Sequence, residues 1–218
     1  MKPKENKGYN VGTYDNCQTP PYALEPLYPY LNIDDKIWEC AAGKLVLANE
    51  LGRKGYYVIH SDITDYLSVN FLEVRTTVGD VIVTNPPYSI KYEWLEKCYE
   101  LGFPFALLMP VEMLGTAKGQ KLFDKYGIEV IFMSPRVDFL MPHALWAGHG
   151  AQFPTAWFTW KLNLPKEMNY ATINKPKRKD LPEYWENALG EDSFKSLIKD
   201  NFKEWIQYRV EWEMVCDK

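Results

Sequence analysis

The chain has 218 residues, 46% of them hydrophobic, and a formal net charge of −4. That is enough apolar material for one sizeable core, and the acidic balance counts against tight non-specific binding to nucleic acid unless a basic groove is gathered locally. No apolar run is long enough to span a membrane and the first eight residues hold no signal-peptide core, while Cys17, Cys40, Cys98 and Cys216 have no paired spacing; together these point to reduced thiols in a cytoplasmic protein and away from a disulfide framework or a zinc site.

Residues 1–14 are polar and rich in Lys, Gly and Asn, the composition of a flexible arm. Thr19 then precedes Pro20 and Pro21, and a helix capped by Thr19 is expected, with Tyr22, Leu27 and Tyr30 on its buried side and a kink at Pro26. Ile37 to Leu51 reads as strand, small-residue turn and helix. Glu39 closes the strand, where a carboxylate can hold an ammonium group, and Ala41, Ala42 and Gly43 let a ligand approach the backbone. A left-handed Leu45 in this turn would cost about 1 kcal/mol.

Gly55 to Ile63 is predicted to form a second strand ending in Asp62. In dinucleotide folds an acid roughly 20 residues past the glycine turn accepts from ribose hydroxyls, the role favoured here over a helix N-cap. His60, within that strand, reads as a packing residue, and Asp65-Tyr66-Leu67 follow as a short loop.

The most informative stretch comes next. Asp80 opens the β-branched run Val81-Ile82-Val83, which has the pattern of a fully buried parallel strand. Pro86 and Pro87 cannot continue it. Asn85 and Tyr88 are therefore presented at the carboxyl end of a buried strand, the edge where open α/β sheets bind ligands.

Beyond it, Tyr92 to Leu101 has helical spacing closed by Gly102, Phe103 to Pro110 is a buried strand, and Val111 to Thr116 borders a pocket at the sheet's carboxyl edge. A helix over Lys118 to Tyr126 and a strand over Ile128 to Met133 follow. Asp138 to Phe153, with His143, Trp146 and His149, shows no period and is expected to wall the substrate. Thr155 to Trp160 reads as the last strand, in a hairpin with the one before. Asn174 to Asp180 is a charged linker, able to touch phosphates or simply to be solvated. Leu181 to Trp185 and Ser193 to Trp212 have the 3-4 spacing of one or two amphipathic helices, to be packed on the core or on a second copy in a homodimer. The element order predicts an α/β fold: a doubly wound, mostly parallel sheet with a final antiparallel hairpin and a helical tail. It divides into an arm (1–14), a catalytic domain (15–163) and an extension (164–218).

Asn85-Pro86-Pro87-Tyr88 resembles the D/N-P-P-Y/F/W motif of S-adenosylmethionine-dependent amino-methyltransferases, and the chain looks like a compact, phage-like member acting on DNA adenine. The resemblance runs from about Thr13 to Trp160. It implies that Asn85 and the Pro86 carbonyl accept the hydrogens of an exocyclic amine, that Pro87 stiffens the turn, and that Tyr88 stacks on a base flipped from double-stranded DNA. It implies a cofactor site with Thr19 and Pro20 at the methionine carboxylate. The turn Glu39, Ala41, Gly43 is similar to the family's cofactor loop, with Cys40 in place of a proline and Leu45 in place of the second glycine. The resemblance also puts Asp62 and Asn85 beside the cofactor, Asp65 at the adenine amine and Tyr66 against the adenine ring. S-adenosylhomocysteine would be the product, and no metal is required. The same motif serves cytosine amines, RNA adenine and protein glutamine, and the altered turn leaves open a cofactor-binding subunit that needs a partner.

Overall fold

The structure is a computed structural model that describes residues 15, 17–66, 68–140, 153–177, 180–190 and 194. The expected arm, Leu67, the stretch with His143, Trp146 and His149, and the amphipathic run after Phe194 lie outside them.

Seven strands form one sheet: β1 Lys36–Glu39, β2 Tyr57–His60, β3 Val81–Thr84, β4 Phe105–Pro110, β5 Glu129–Ser134, β6 Thr155–Trp160 and β7 Met168–Thr172. Their order across the sheet is β2-β1-β3-β4-β6-β5-β7. β6 is antiparallel to both its neighbours, and every other pairing is parallel. The expected doubly wound, mostly parallel sheet is therefore present. β3 and β4 are buried at every position, as their unbroken apolar runs require.

Side-chain alternation sorts these strands onto two packed faces. Trp38, Ile82, Phe105, Leu107 and Met109 point to one face, covered by α2 (Lys91–Leu101) and α3 (Ala117–Tyr126) through Trp94, Leu95, Cys98, Tyr99 and Leu122. Ile37, Val81, Val83, Ala106 and Leu108 point to the other, covered by α1 (Val46–Arg53) through Leu47 and Leu51 and by the Pro21–Tyr30 segment through Leu24 and Leu27. Helix ends follow local chemistry. Gly102 and Gly127 end α2 and α3 with positive φ, and the Thr116 hydroxyl accepts from the Gly119 N–H to start α3.

Three expectations need correction. Pro21–Tyr30 is a 3-10 helix, with Pro20 and not Thr19 at its N-cap and no side-chain cap. In an α-helix the rings of Pro26 and Pro29 would clash with the carbonyls four residues back, which disfavours that form, and the segment is 3-10 instead. β6 does form the antiparallel pair with β5, but it is inserted between β4 and β5 and is not the last strand. β7 follows it, parallel to β5, and the sheet runs past residue 163. β7 escaped the sequence reading because only alternate positions of Met-Asn-Tyr-Ala-Thr are covered, an edge-strand pattern with Met168 and Tyr170 exposed. The amphipathic pattern after Leu181 is a helix, α4 (Leu181–Leu189). Its Trp185, Ala188 and Leu189 pack with Val46 and Leu140, so this part of the extension lies on the core. No helix among the described residues is long and apolar enough to cross a membrane.

Candidate active site

β1 and β3 are neighbours, but the chain goes outward to β2 from one and to β4 from the other. This is the topological switch point, and its carboxyl edge is where such sheets hold ligands. A cavity of about 460 Å³ opens there, lined by Glu39 from the end of β1, Asn85 and Pro87 from the end of β3, and the turn 40–44. The volume lies within the range of small-molecule sites.

The turn is built by a left-handed pair. Gly43 has φ 49° and Leu45 φ 63°, and α1 starts directly at Val46. Leu45 adopts the conformation that the missing glycine would take freely, and its N–H closes the turn onto the Ala42 carbonyl at 2.7 Å. Asp62, two residues past β2, braces this turn: its Oδ2 accepts from the Gly43 N–H at 2.9 Å. Its Oδ1 accepts from the Thr64 N–H and hydroxyl. Asp62 lines the cavity, as Thr19, Ala41 and Gly43 also do.

Glu39 is 1% exposed. Burial pushes its carboxyl up to about 8; hydrogen bonds from the Thr84 hydroxyl (2.5 Å) and the Ala41 N–H (3.3 Å) oppose the rise, and Asp62 and Asp65 add to it. It is thus an acid held neutral at the foot of the cavity, and a cation beside it would turn it into a carboxylate. Thr84 precedes Asn85, so one hydrogen bond ties the ends of β1 and β3.

Asn85 donates from Nδ2 toward the Cys17 sulfur at 3.9 Å, and its Oδ1 is buried with no hydrogen-bond partner among the described residues. Burial holds the Cys17 thiol up at about 11, so it is the protonated thiol that faces Asn85. Asp15 accepts from the Ser89 N–H at 3.1 Å. Asp15, Cys17 and Gln18 therefore tie the turn at 85–89 to the turn at 40–44, where the Lys44 N–H donates to Gln18 Oε1 at 3.1 Å.

Five sequence candidates stand away from the cavity. Pro20 and Pro86 are buried beside it without lining it. Tyr88 is turned into an aromatic cluster, its ring edge-on to Phe139 at 6.3 Å and Phe153 at 5.7 Å, with a buried hydroxyl that has no partner among the described residues. Asp65 and Tyr66 do not line it, and Tyr66 is fully exposed. The short loop after Asp62 swings them outward: the Asp65 N–H turns back to the Asp62 carbonyl, leaving Tyr66 on the surface. The aromatic residues that line the cavity are Phe71 and Trp94, stacked on each other at 4.2 Å and 17°. Asn70-Phe71-Leu72 repeats the polar-aromatic-leucine order of Asp65-Tyr66-Leu67 five residues later, a signal present in the sequence but passed over for the earlier match. Asp15, Cys17 and Gln18 were also missed, since no local pattern marks a strap whose partners lie in distant turns.

No protein-family model and no curated protein matches the chain. Among solved structures it is similar to ribosomal protein L11 methylase from Lactobacillus delbrueckii subsp. bulgaricus (11% identity, TM-score 0.45, covering 64% of this chain and 76% of that one). It is similar also to a candidate class I S-adenosylmethionine-dependent methyltransferase from Listeria monocytogenes (17% identity, TM-score 0.45, 79% and 71%). A third is a dimethyladenosine transferase from Plasmodium falciparum (12% identity, TM-score 0.39, 66% and 62%).

Proposed function

We propose that the chain is an S-adenosylmethionine-dependent methyltransferase acting on the exocyclic amine of adenine in DNA. The observation that carries the reading is the Asn85 side chain: an amide whose oxygen is buried and unpartnered among the described residues, in a double-proline turn at the switch-point cavity. A buried acceptor without a donor is costly, about 1–3 kcal/mol, and an incoming N–H relieves that cost.

The residues present suit the cofactor. Glu39 gives the amino group of its methionine part a buried acid to ionise, Thr19 and the turn 41–43 flank the same end, and Phe71 offers an apolar wall to the nucleoside. Asp62, which lines the cavity and is braced on Gly43, is the acid offered to the ribose hydroxyls. When bound, the cofactor supplies a methyl group on a sulfonium, an activated electrophile. The chain's own work is positioning. Asn85 Oδ1 and the Pro86 carbonyl accept the two amine hydrogens and direct the nitrogen lone pair, and the prolines keep that pair of acceptors in place before substrate arrives. The base packs at the cluster of Tyr88, Phe139 and Phe153. The chain would hold the amine nitrogen in line with that methyl group, and the extra amine proton would leave to water.

The test is transfer of labelled methyl groups from S-adenosylmethionine to duplex DNA by the parent and by Asn85→Ala. The reading predicts N6-methyladenine with the parent and a loss of about a hundredfold or more with the variant. Label appearing in RNA or protein with none in DNA would overturn the acceptor.

A further inference from the structure

The acidic chain has a local exception at the edge that carries Asn85. β7 is parallel to β5, β5 and β4 are both antiparallel to β6, and β4 is parallel to β3, so β3, β4, β5 and β7 all end at this edge. The segments that leave β5 and β7 run side by side: the Ile173 N–H donates to the Ser134 carbonyl at 2.9 Å, and Val137 and Ile173 pack with Tyr22 and Ala23. Glu25 pins the second segment through the Asn174 N–H (2.9 Å) and Nδ2 (3.1 Å). Residues 135–140 and 173–177 hold three cations, Arg136, Lys175 and Lys177, against the single acid Asp138. Lys175 is ion-paired with Asp138. Arg136 and Lys177 are both exposed, and neither side chain has an ion-pair partner among the described residues. On the opposite, cofactor side of the edge, 61–75 carries Asp62, Asp65 and Glu73 against Arg75 alone.

We propose that the exit segments of β5 and β7, through Arg136 and Lys177, form a phosphate-contacting strip that holds the DNA backbone flanking the target base. The inference rests on the DNA reading above and gives it a direction. Asp138 links the strip to the substrate pocket, because Phe139, its neighbour, packs on Tyr88. Four interstrand steps separate β3 from β7, about 19 Å at the usual strand spacing. At about 3.4 Å per base pair the strip meets phosphates roughly six pairs from the flipped adenine. A local surplus of cations explains how a chain of net charge −4 can receive a polyanion: the segments 135–140 and 173–177 carry three cations against one acid, while 61–75 carries three acids against one cation.

Anisotropy of a labelled DNA duplex, read between about 50 and 200 mM salt, tests the strip. The double variant Arg136→Glu, Lys177→Glu is expected to bind at least about tenfold more weakly and to flatten the log–log salt slope by about two, with affinity for S-adenosylmethionine unchanged by calorimetry. Lys166→Glu, just before β7 and so at the opposite edge, should bind DNA like the parent. A double variant that matches the parent, or an equal loss with Lys166→Glu, overturns the strip while leaving the DNA reading intact. A parent that binds S-adenosylmethionine but no duplex overturns both.

Discussion

In the proposed reaction two side chains make opposite demands. Asn85 offers an acceptor with nothing to accept from among the described residues, so Asn85→Ala should abolish transfer while leaving S-adenosylmethionine affinity within about threefold of the parent; equilibrium binding measured beside the transfer assay separates the two, and a variant that still transfers would remove Asn85 from the chemistry. Glu39 holds a proton that an empty site has no reason to release. Its folded-state value of about 8 lies above the ordinary carboxylate value. The stabilising contribution is therefore full below the unfolded value and is lost as pH rises through 8. Melting of the ligand-free protein should decline across that window, and Glu39→Gln, which keeps the shape and removes the titration, should flatten the decline. If Glu39 meets the cofactor's ammonium group, binding below pH 8 releases a proton, seen as a heat that scales with buffer ionisation enthalpy; no buffer dependence would move the ammonium elsewhere. Asn85 and Glu39 were legible in the sequence because each ends a strand whose burial its own apolar run announces. The exposure of Tyr66 was not legible, because loop direction after Asp62 depends on a turn hydrogen bond that composition does not encode.

At the scale of elements, β3 is held by its neighbours and by the helices over it. Thr116 caps α3 and its hydroxyl also bonds the Tyr92 hydroxyl at 2.8 Å, joining α2 to α3 behind the site. Thr116→Ala should cost about 1–2 kcal/mol of unfolding free energy by denaturant titration, and a loss below about 0.3 would mean that the cap is idle. Phe71 is a test of where the nucleoside lies: Phe71→Leu, which keeps an apolar core residue, should weaken S-adenosylmethionine binding severalfold, whereas Tyr66→Ala should not change it. Calorimetry on the two variants reads this directly, and the reverse ranking would restore the Asp65-Tyr66 assignment. Elements with long apolar runs, such as β3 and β4, could be read from the chain. β7 could not, because an edge strand needs only half its residues apolar, and the Pro21–Tyr30 segment could not, because proline spacing permits a tighter helix that the buried pattern does not distinguish.

On the scale of the whole molecule, the sheet order places a cavity where β1 and β3 diverge, and the turn 40–44, the turn after β3 and the residues Asp15, Cys17, Gln18 and Thr19 all meet at it. Charge is also uneven along the sheet's carboxyl edge, with an excess of acids in 61–75, after β2, and an excess of cations in 135–140 and 173–177, after β5 and β7. The insertion of β6 between β4 and β5 turns the strand order back on itself and brings the ends of β5 and β7 to the edge that holds Asn85. None of this can be read from local pattern, because it depends on which strands become neighbours.

Everything above turns on whether the cavity receives its cofactor with Leu45 in the left-handed position of a missing glycine. Calorimetric titration of the full chain, freed of co-purified ligand, with S-adenosylmethionine and S-adenosylhomocysteine asks this in one experiment. The account predicts one site per chain, with micromolar affinity for both ligands and loss of binding in Asp62→Ala. A flat titration with both ligands would contradict it.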